Sequence, residues 1–231
     1  MRGGRVRTPA ARGAALCQWA VLGTLAPAIL LALLPGYAMD LPFRLLCAGV
    51  ETLLALCMGV CLAWGGSQLQ KAEAIRRTAR LLLVVYLVHL ASLLFFDGSF
   101  GRQATFSWQA AAHRVNLRPF HTIVSYWSAL RHGRINASIA WINLAGNLLA
   151  LAPLGMLLPF ASRRWGRLGP SLWLGAALIA GVEVLQLATG TGSCDIDDFI
   201  LNCAGFALAR RGACWAAARF PLVRAAQQGR E

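Results

Sequence analysis

Acidic residues are scarce in this sequence: 9 of its 231 residues are Asp or Glu, and charged residues of both signs make up only 13%. Soluble domains carry about 25% charged residues, so an ordinary water-soluble fold is excluded. The chain also lacks a C-x-x-C pair, an H-E-x-x-H run and a G-x-S-x-G run. The familiar signatures of zinc sites, metalloproteases and serine hydrolases are therefore missing, and neither a metal nor a cofactor is predicted.

Cysteine and histidine give no pattern of metal ligands either. Most of the seven cysteines lie inside apolar segments, where they are typical of small buried hydrophobic residues. His113, His121 and His132 share one segment, but their spacing does not match a metal site. His89 and Glu51 each stand alone in an apolar segment. We expect His89 to be a hydrogen-bonded structural residue, and Glu51 to be paired or to extend its carboxylate to the membrane surface.

Apolar residues are abundant instead, at 58% of the chain, and they come in blocks of about 20, the length that a helix needs to cross a membrane. The blocks are residues 16–35, 45–65, 81–96, 139–160 and 171–189, with a shorter sixth block starting at 196. The pattern predicts an all-α fold, a polytopic membrane helix bundle with about six transmembrane helices. Apolar residues also recur at helical spacing after Pro119, which predicts a short amphipathic helix over 119–131 in the membrane interface.

The net charge of +13 does not indicate nucleic acid as a partner, because the basic residues occur in short runs between the apolar blocks. With both termini in the cytoplasm, 16 Lys and Arg residues lie inside and six lie outside, as the positive-inside rule requires. Five outer arginines run against the rule, which favours a function at the outer face: Arg102, Arg114, Arg118, Arg131 and Arg134. The predicted organisation is a basic cytoplasmic tail over 1–15, two N-terminal transmembrane helices over 16–80, a membrane domain over 81–211 and a cytoplasmic tail over 212–231.

Four of the nine acids cluster where the fifth block ends and the sixth begins: Glu183, Asp195, Asp197 and Asp198. A carboxylate inside a bilayer costs roughly 2.5–3.5 kcal/mol on insertion scales, so the cluster predicts a polar site at the outer end of the bundle. The alternative is that Asp195 caps a helix, while Asp197 and Asp198 only mark the membrane surface.

Three consecutive predicted helices each carry a polar pair on one face. The pairs are Asn143 with Asn147, Glu183 with Gln186, and Asp198 with Asn202, at spacings of three or four residues. Buried polar groups need partners, so these stripes are expected to face one another in the outer half of the bundle. The alternative is that the amide side chains only hold helices together. The segment 114–120 would lie above them and supply Arg114 and Asn116.

These segments together resemble the VanZ-like family of bacterial membrane proteins. The resemblance covers about residues 82–211 and depends on R-V-N-L-R-P-F at 114–120, N-L-A-G-N-L-L-A-L-A-P-L-G at 143–155, E-V-L-Q at 183–186 and D-I-D-D-F-I-L-N-C-A-G at 195–205. It implies a multi-pass protein of the bacterial cytoplasmic membrane, in a family named for resistance to teicoplanin-type glycopeptides. Members commonly carry an arginine shortly before the acidic run. Residues 189–194 contain no basic residue, so either Arg114 or Arg118 supplies the charge or the site is weakened.

Three hypotheses of function follow. In the first, the site binds or transports an anionic lipid or lipid-linked cell-wall precursor at the outer leaflet, and the protein confers glycopeptide resistance. In the second, the protein is an intramembrane enzyme acting on a polyprenyl-linked lipid, with Glu183 and Asp198 as acid and base. In the third, it is a structural protein without a ligand. The candidate ligand-binding residues are Arg114, Asn116, Asn143, Asn147, Glu183, Gln186, Asp195, Asp198 and Asn202.

Overall fold

The structure, a computed structural model, describes residues 8–32, 41–95, 114–189 and 193–229. Arg102, His113 and the first seven residues of the predicted N-terminal tail lie outside the described residues. The N-terminal part consists of α1 Pro9–Ala32, α2 Leu41–Ala63 and α3 Gln68–Phe95. These helices pack around a small apolar core that includes Val21, Ala55, Met58 and Val85. Helix α1 starts at Pro9, a residue suited to the first turn because no hydrogen bond within the helix needs its N–H. The last residues of the predicted tail, 9–15, are therefore helical.

The described residues of the C-terminal part are also mostly helical, with two short strands. Its elements are β1 Val115–Asn116, α4 His121–Arg131, α5 Ala137–Ala150, α6 Ala152–Ala161, α7 Arg163–Gly166, α8 Leu168–Thr189, β2 Cys194–Asp195, α9 Ile196–Arg219 and α10 Pro221–Gln228. The strands pair in parallel, with Val115 opposite Cys194 and Asn116 opposite Asp195. The short helix predicted after Pro119 is present as α4.

Five segments are long and apolar enough to cross a membrane: Pro9–Leu30, Pro42–Ala63, Gln68–Phe95, Ala137–Ala161 and Leu168–Thr189. The predicted sixth crossing corresponds to α9, which has 24 residues. Acids stand in its first turn, and arginines occupy its second half. The predicted all-α, polytopic helix bundle is confirmed.

The fourth predicted block is divided into two helices by Pro153. Proline has no N–H to continue the helical ladder, and the chain leaves helical geometry at Leu151 between α5 and α6. The hydroxyl of Tyr86, on α3, donates a hydrogen bond to the Ala150 carbonyl at this break. A side chain from a neighbouring helix thus satisfies backbone that the break would leave exposed in an apolar layer.

Helix α9 lies at the centre of the C-terminal part because glycines let its backbone approach two other helices closely. A Cβ on Gly205 would lie 1.7 Å from the Leu148 carbonyl oxygen of α5, and one on Gly155 of α6 would lie 2.2 Å from the Phe206 carbonyl oxygen. The ring of Phe206 lies against Gly175 of α8. Leu151, Leu154, Ile179 and Phe206 form the buried apolar layer at this level.

A buried hydrogen bond between Glu51 and His89 joins the second and third helices. His89 Nε2 lies 2.6 Å from Glu51 Oε2, and the Glu51 side chain is completely buried. Arg44 donates to the carbonyl of Ser92 at 2.9 Å. The expectations that Glu51 is paired and that His89 is hydrogen-bonded are both met, and each is the other's partner.

The end of the chain is a packed amphipathic helix. Helix α10 places Leu222, Val223 and Ala226 against Ala72 of α3 and Phe160 of α6. Because the contacting residues come from three different elements, this part of the predicted C-terminal tail is a component of the bundle.

Candidate functional site

The three polar stripes line one cavity of about 180 Å³. Helix α5 contributes Asn143 and Asn147, α8 contributes Glu183 and Gln186, and α9 contributes Asp198 and Asn202. Each pair projects from one helix face because its members are three or four residues apart. Glu183, Gln186 and Asn202 are 6%, 8% and 7% exposed, whereas Asn143 is exposed at the rim. The structure therefore brings six of the nine candidate residues together.

Hydrogen bonds orient the side chains within this cavity. The Asn147 amide donates to Asp198 Oδ1, which connects α5 to α9. The Asn202 amide donates to the Asp198 carbonyl at 2.9 Å, and the Asn143 amide donates to the Ile139 carbonyl at 2.7 Å. Asn202 Oδ1 is buried without a hydrogen-bond partner among the described residues. One buried acceptor therefore remains available to a ligand.

The remaining walls are apolar. Leu90 and Leu94 of α3, Leu151, and Ile179 and Val182 of α8 complete most of the lining. Among the described lining residues there is no Lys, Arg or His. The cavity therefore presents carboxylates and amides, which suit hydroxyl, amide or cationic groups better than a phosphate.

Asp195 lies outside the described cavity lining and has a structural role. Its side chain caps α9 by accepting a hydrogen bond from the Asp197 N–H at 2.9 Å. It also accepts from the Thr122 hydroxyl at 2.6 Å and from the Asn116 amide at 3.2 Å. The alternative interpretation of Asp195 as a helix cap matches this geometry. Its backbone N–H points to Glu183 Oε2, 3.4 Å away, so the cap adjoins the cavity.

Asp197 holds α4 in place, a role that the sequence argument missed. Its completely buried carboxylate accepts hydrogen bonds from the backbone N–H groups of Phe120, Thr122 (2.7 Å) and Ile123 (3.1 Å). These are first-turn donors of α4, whose own N-cap residue, Phe120, makes no side-chain cap. The sequence could have indicated this role, because Phe120 is not one of the usual capping residues Ser, Thr, Asp or Asn. The free N–H groups at the start of α4 then need an acceptor from another element.

Arg114 and Asn116 lie beside the cavity rather than on its described walls. The Arg114 carbonyl accepts a hydrogen bond from the Cys194 N–H at 2.9 Å, and its side chain is half-buried. The side-chain amide of Asn116 donates hydrogen bonds to the Thr122 hydroxyl and to the Asp195 carboxylate. We call residues 114–131 the outer segment, after the side on which the positive-inside rule predicts it to lie. It carries the exposed Arg118 and is bound to the start of α9, adjacent to Asp198.

Two titratable groups of this region lie outside the membrane-spanning helices. Burial, and then the charges of Asp198 and Asp195, raise the pKa of the Tyr126 hydroxyl on α4. Burial, with Glu183 and Asp195 adding to it, raises the pKa of the Cys194 thiol. Both groups are therefore protonated at neutral pH, so Tyr126 can donate a hydrogen bond and Cys194 is not a thiolate nucleophile.

Comparison with known proteins identifies one family. A family model described as VanZ/LLP1 matches residues 83–214, which is more than half of the chain. The match includes the outer segment and all the described residues that line the cavity. No curated protein and no solved structure matches the chain.

Proposed function

The chain belongs to the VanZ/LLP1 family, as its motifs predicted, and we propose that it binds an envelope lipid or lipid-linked cell-wall precursor from the outer side of the bacterial cytoplasmic membrane. The polar part of the ligand enters the cavity between α5, α8 and α9. Its apolar chains remain in the bilayer. The protein acts by holding this headgroup, and any glycopeptide resistance follows from the precursor that it holds.

The cavity itself is the observation that supports this proposal. Two carboxylates and four amide side chains converge on one small space inside a bundle of otherwise apolar helices. Helix contacts alone need only one or two amides, each contributing about 0.6–2 kcal/mol. Carboxylates are costly in this environment, so six such groups facing one space favour a ligand over simple helix adhesion.

The chemistry of the lining defines which part of the ligand it takes. Asp198 and Glu183 accept hydrogen bonds from sugar hydroxyl or amide N–H groups, and Asn202 Oδ1 is a further acceptor. Asn143 and Gln186 can both donate and accept. The phosphate of a lipid-linked ligand lies outside the cavity, near the outer segment, where Arg114 and Arg118 provide positive charge.

Photo-crosslinking tests this proposal. The purified chain in nanodiscs is incubated with a diazirine analogue of a polyprenyl diphosphate-linked saccharide, and with a diazirine phosphatidylglycerol for comparison. We expect Asp198→Asn and Asn147→Ala to reduce saccharide-lipid labelling about tenfold, because each removes a charge-assisted hydrogen bond in the cavity. Arg114→Ala should reduce labelling by both analogues, because both carry phosphate.

Arg131→Ala is the matched control, since Arg131 is an exposed arginine of the outer segment outside the described cavity lining. It should leave labelling unchanged. Equal labelling of the wild type, Asp198→Asn and Arg114→Ala would remove the proposal. In cells, a glycopeptide phenotype of the wild type should be lost with Asp198→Asn at equal protein abundance.

A second candidate function is an intramembrane enzyme, favoured by the presence of two carboxylates in one cavity. Glu183 and Asp198 would then serve as acid and base. The same incubation distinguishes the two functions. Recovery of the lipid analogue unchanged supports binding, whereas a converted product that disappears with Glu183→Gln supports catalysis.

A further inference from the structure

A second cluster of buried polar atoms lies at the opposite end of the C-terminal helices, which we call the arginine-rich end: α7, the start of α8 and the second half of α9. Arg210 of α9 is only 2% exposed. Its Nη2 donates to the Gly166 carbonyl at 2.9 Å, but Nε and Nη1 have no hydrogen-bond partner among the described residues. A buried guanidinium with only one hydrogen-bonded nitrogen destabilises the fold, because its charge has lost its hydration and gained few hydrogen bonds in return.

Ser171 of α8 is a second polar side chain with the same property. It is completely buried, and its hydroxyl has no hydrogen-bond partner among the described residues. Gly175 of α8 lies against Phe206 of α9. Ser171 is one turn from Gly175, and Arg210 is one turn from Phe206, both toward the arginine-rich end of these antiparallel helices. The two unpartnered groups therefore occupy the same level of the bundle.

No described acid balances the Arg210 charge. Glu73 is occupied by Arg76 and Arg77, and Glu51 is paired with His89. The other described acids stand at the opposite end of the bundle, around the outer cavity and the start of α9. The positive charge at this level is therefore available to an anion from outside the described chain.

The surroundings of this level also favour negative charge. Ser171 is in the first turn of α8, at the end of the helix where the helix dipole favours negative charge; its own N–H donates to the Arg167 carbonyl at 3.3 Å, so its hydroxyl is the group that can meet an anion. Three exposed arginines, Arg163, Arg164 and Arg167, stand in the preceding segment. One N–H of Arg210 Nη2 donates to the Gly166 carbonyl, so one of the two edges of the guanidinium, Nε with Nη2 or Nη1 with Nη2, can still make two parallel hydrogen bonds to an oxyanion.

We propose that the side chains of Arg210 and Ser171 form a binding site for an oxyanion of the phosphate class. The anion comes either from solution or from the headgroup of an anionic phospholipid at that membrane surface. The apolar layer of Leu151, Leu154, Ile179 and Phe206 separates this level from the outer cavity. The site therefore differs from the one proposed above and does not depend on that function.

Thermal unfolding of the purified full chain in a neutral detergent tests this inference. Inorganic phosphate is titrated against chloride at constant ionic strength, and dioleoyl phosphatidylglycerol is titrated against the phosphatidylcholine of the same chains. At ten times the Kd, binding should raise the Tm of the wild type by about 3–6 °C. A response to phosphate alone identifies a free anion, and a response only to phosphatidylglycerol identifies a lipid headgroup.

Ser171→Ala and Arg210→Met should abolish the response or weaken the affinity at least tenfold. Arg131→Gln, which removes an exposed arginine at the opposite end of the bundle, should keep it. Without anion, Arg210→Met should be as stable as the wild type or more stable, since an uncompensated buried charge is gone. If Arg210→Met does not fold, Ser171→Ala decides. Failure of the wild type to respond to either ligand, or an equal response in Ser171→Ala, overturns the proposal.

Discussion

Gly205→Ala is expected to produce the largest loss of stability of any methyl-sized change in the C-terminal helices. The new Cβ would lie 1.7 Å from the Leu148 carbonyl oxygen, so the backbones of α5 and α9 would have to separate. Overpacking at a backbone contact should cost about 3 kcal/mol or more. We expect the Tm in detergent to fall by about 6–12 °C.

Gly212→Ala is the matched control on the same helix, because nothing lies within 4 Å of its Cβ position. Its Tm should stay the same or rise slightly, since alanine favours helix more than glycine does. The Gly205 variant should also lose saccharide-lipid labelling, because Asn147 and Asp198 come from the two helices that separate. Equal Tm values for the two variants would contradict the close approach of α5 and α9.

Asp197→Ala is expected to release the outer segment from the bundle. Its buried carboxylate accepts three backbone hydrogen bonds from the first turn of α4. Hydrogen bonds to a charged group contribute about 1.5–3 kcal/mol each. If the free energy needed to open the outer segment falls by about 3 kcal/mol, amide hydrogen exchange at Thr122 and Ile123 should become about 100-fold faster. Mass spectrometry of peptides covering 118–131 measures the change.

Asp198→Asn controls for the loss of a neighbouring acid. Asp198 accepts a hydrogen bond from the Asn147 amide in the cavity, whereas the N–H groups of Thr122 and Ile123 donate to Asp197. Exchange at Thr122 and Ile123 should therefore stay at its wild-type rate in this variant, although saccharide-lipid labelling falls. An increase in exchange of the same size in both variants would show that general destabilisation, and not the Asp197 contact, controls the outer segment.

The sequence was sufficient to predict which helices meet, but not what each acid does. Helical spacing placed Asn147, Glu183 and Asp198 on stripes that had to face inward, because polar groups in lipid need partners. Asp195, Asp197 and Asp198 are different, since they lie within one turn. Each residue turns about 100° from the last, so their directions depend on where the strand ends and α9 begins. That boundary is set by the pairing of β2 with β1, a long-range contact.

Other details depended on contacts between distant elements. Pro153 explains why the helix breaks at Leu151. The break can lie within the bundle because the Tyr86 hydroxyl, from another helix, donates a hydrogen bond to the Ala150 carbonyl. The partnership of Glu51 with His89 requires the register of α2 against α3. The packing of α10 required knowing that α9 continues to Arg219 and positions Pro221 beside α3. Local patterns carry no information about such registers.

The central claim is that polar residues of α5, α8 and α9 surround one water-accessible space. Cysteine accessibility tests it most directly, using a cysteine-free variant in intact cells and a small membrane-impermeant methanethiosulfonate added outside. Gln186→Cys, at a position 8% exposed in the structure, should react because water and the small reagent can enter the cavity that this side chain lines. Val184→Cys, two residues away at a position 60% exposed, should not react because that face contacts lipid. Reaction at 184 but not at 186 would contradict the account.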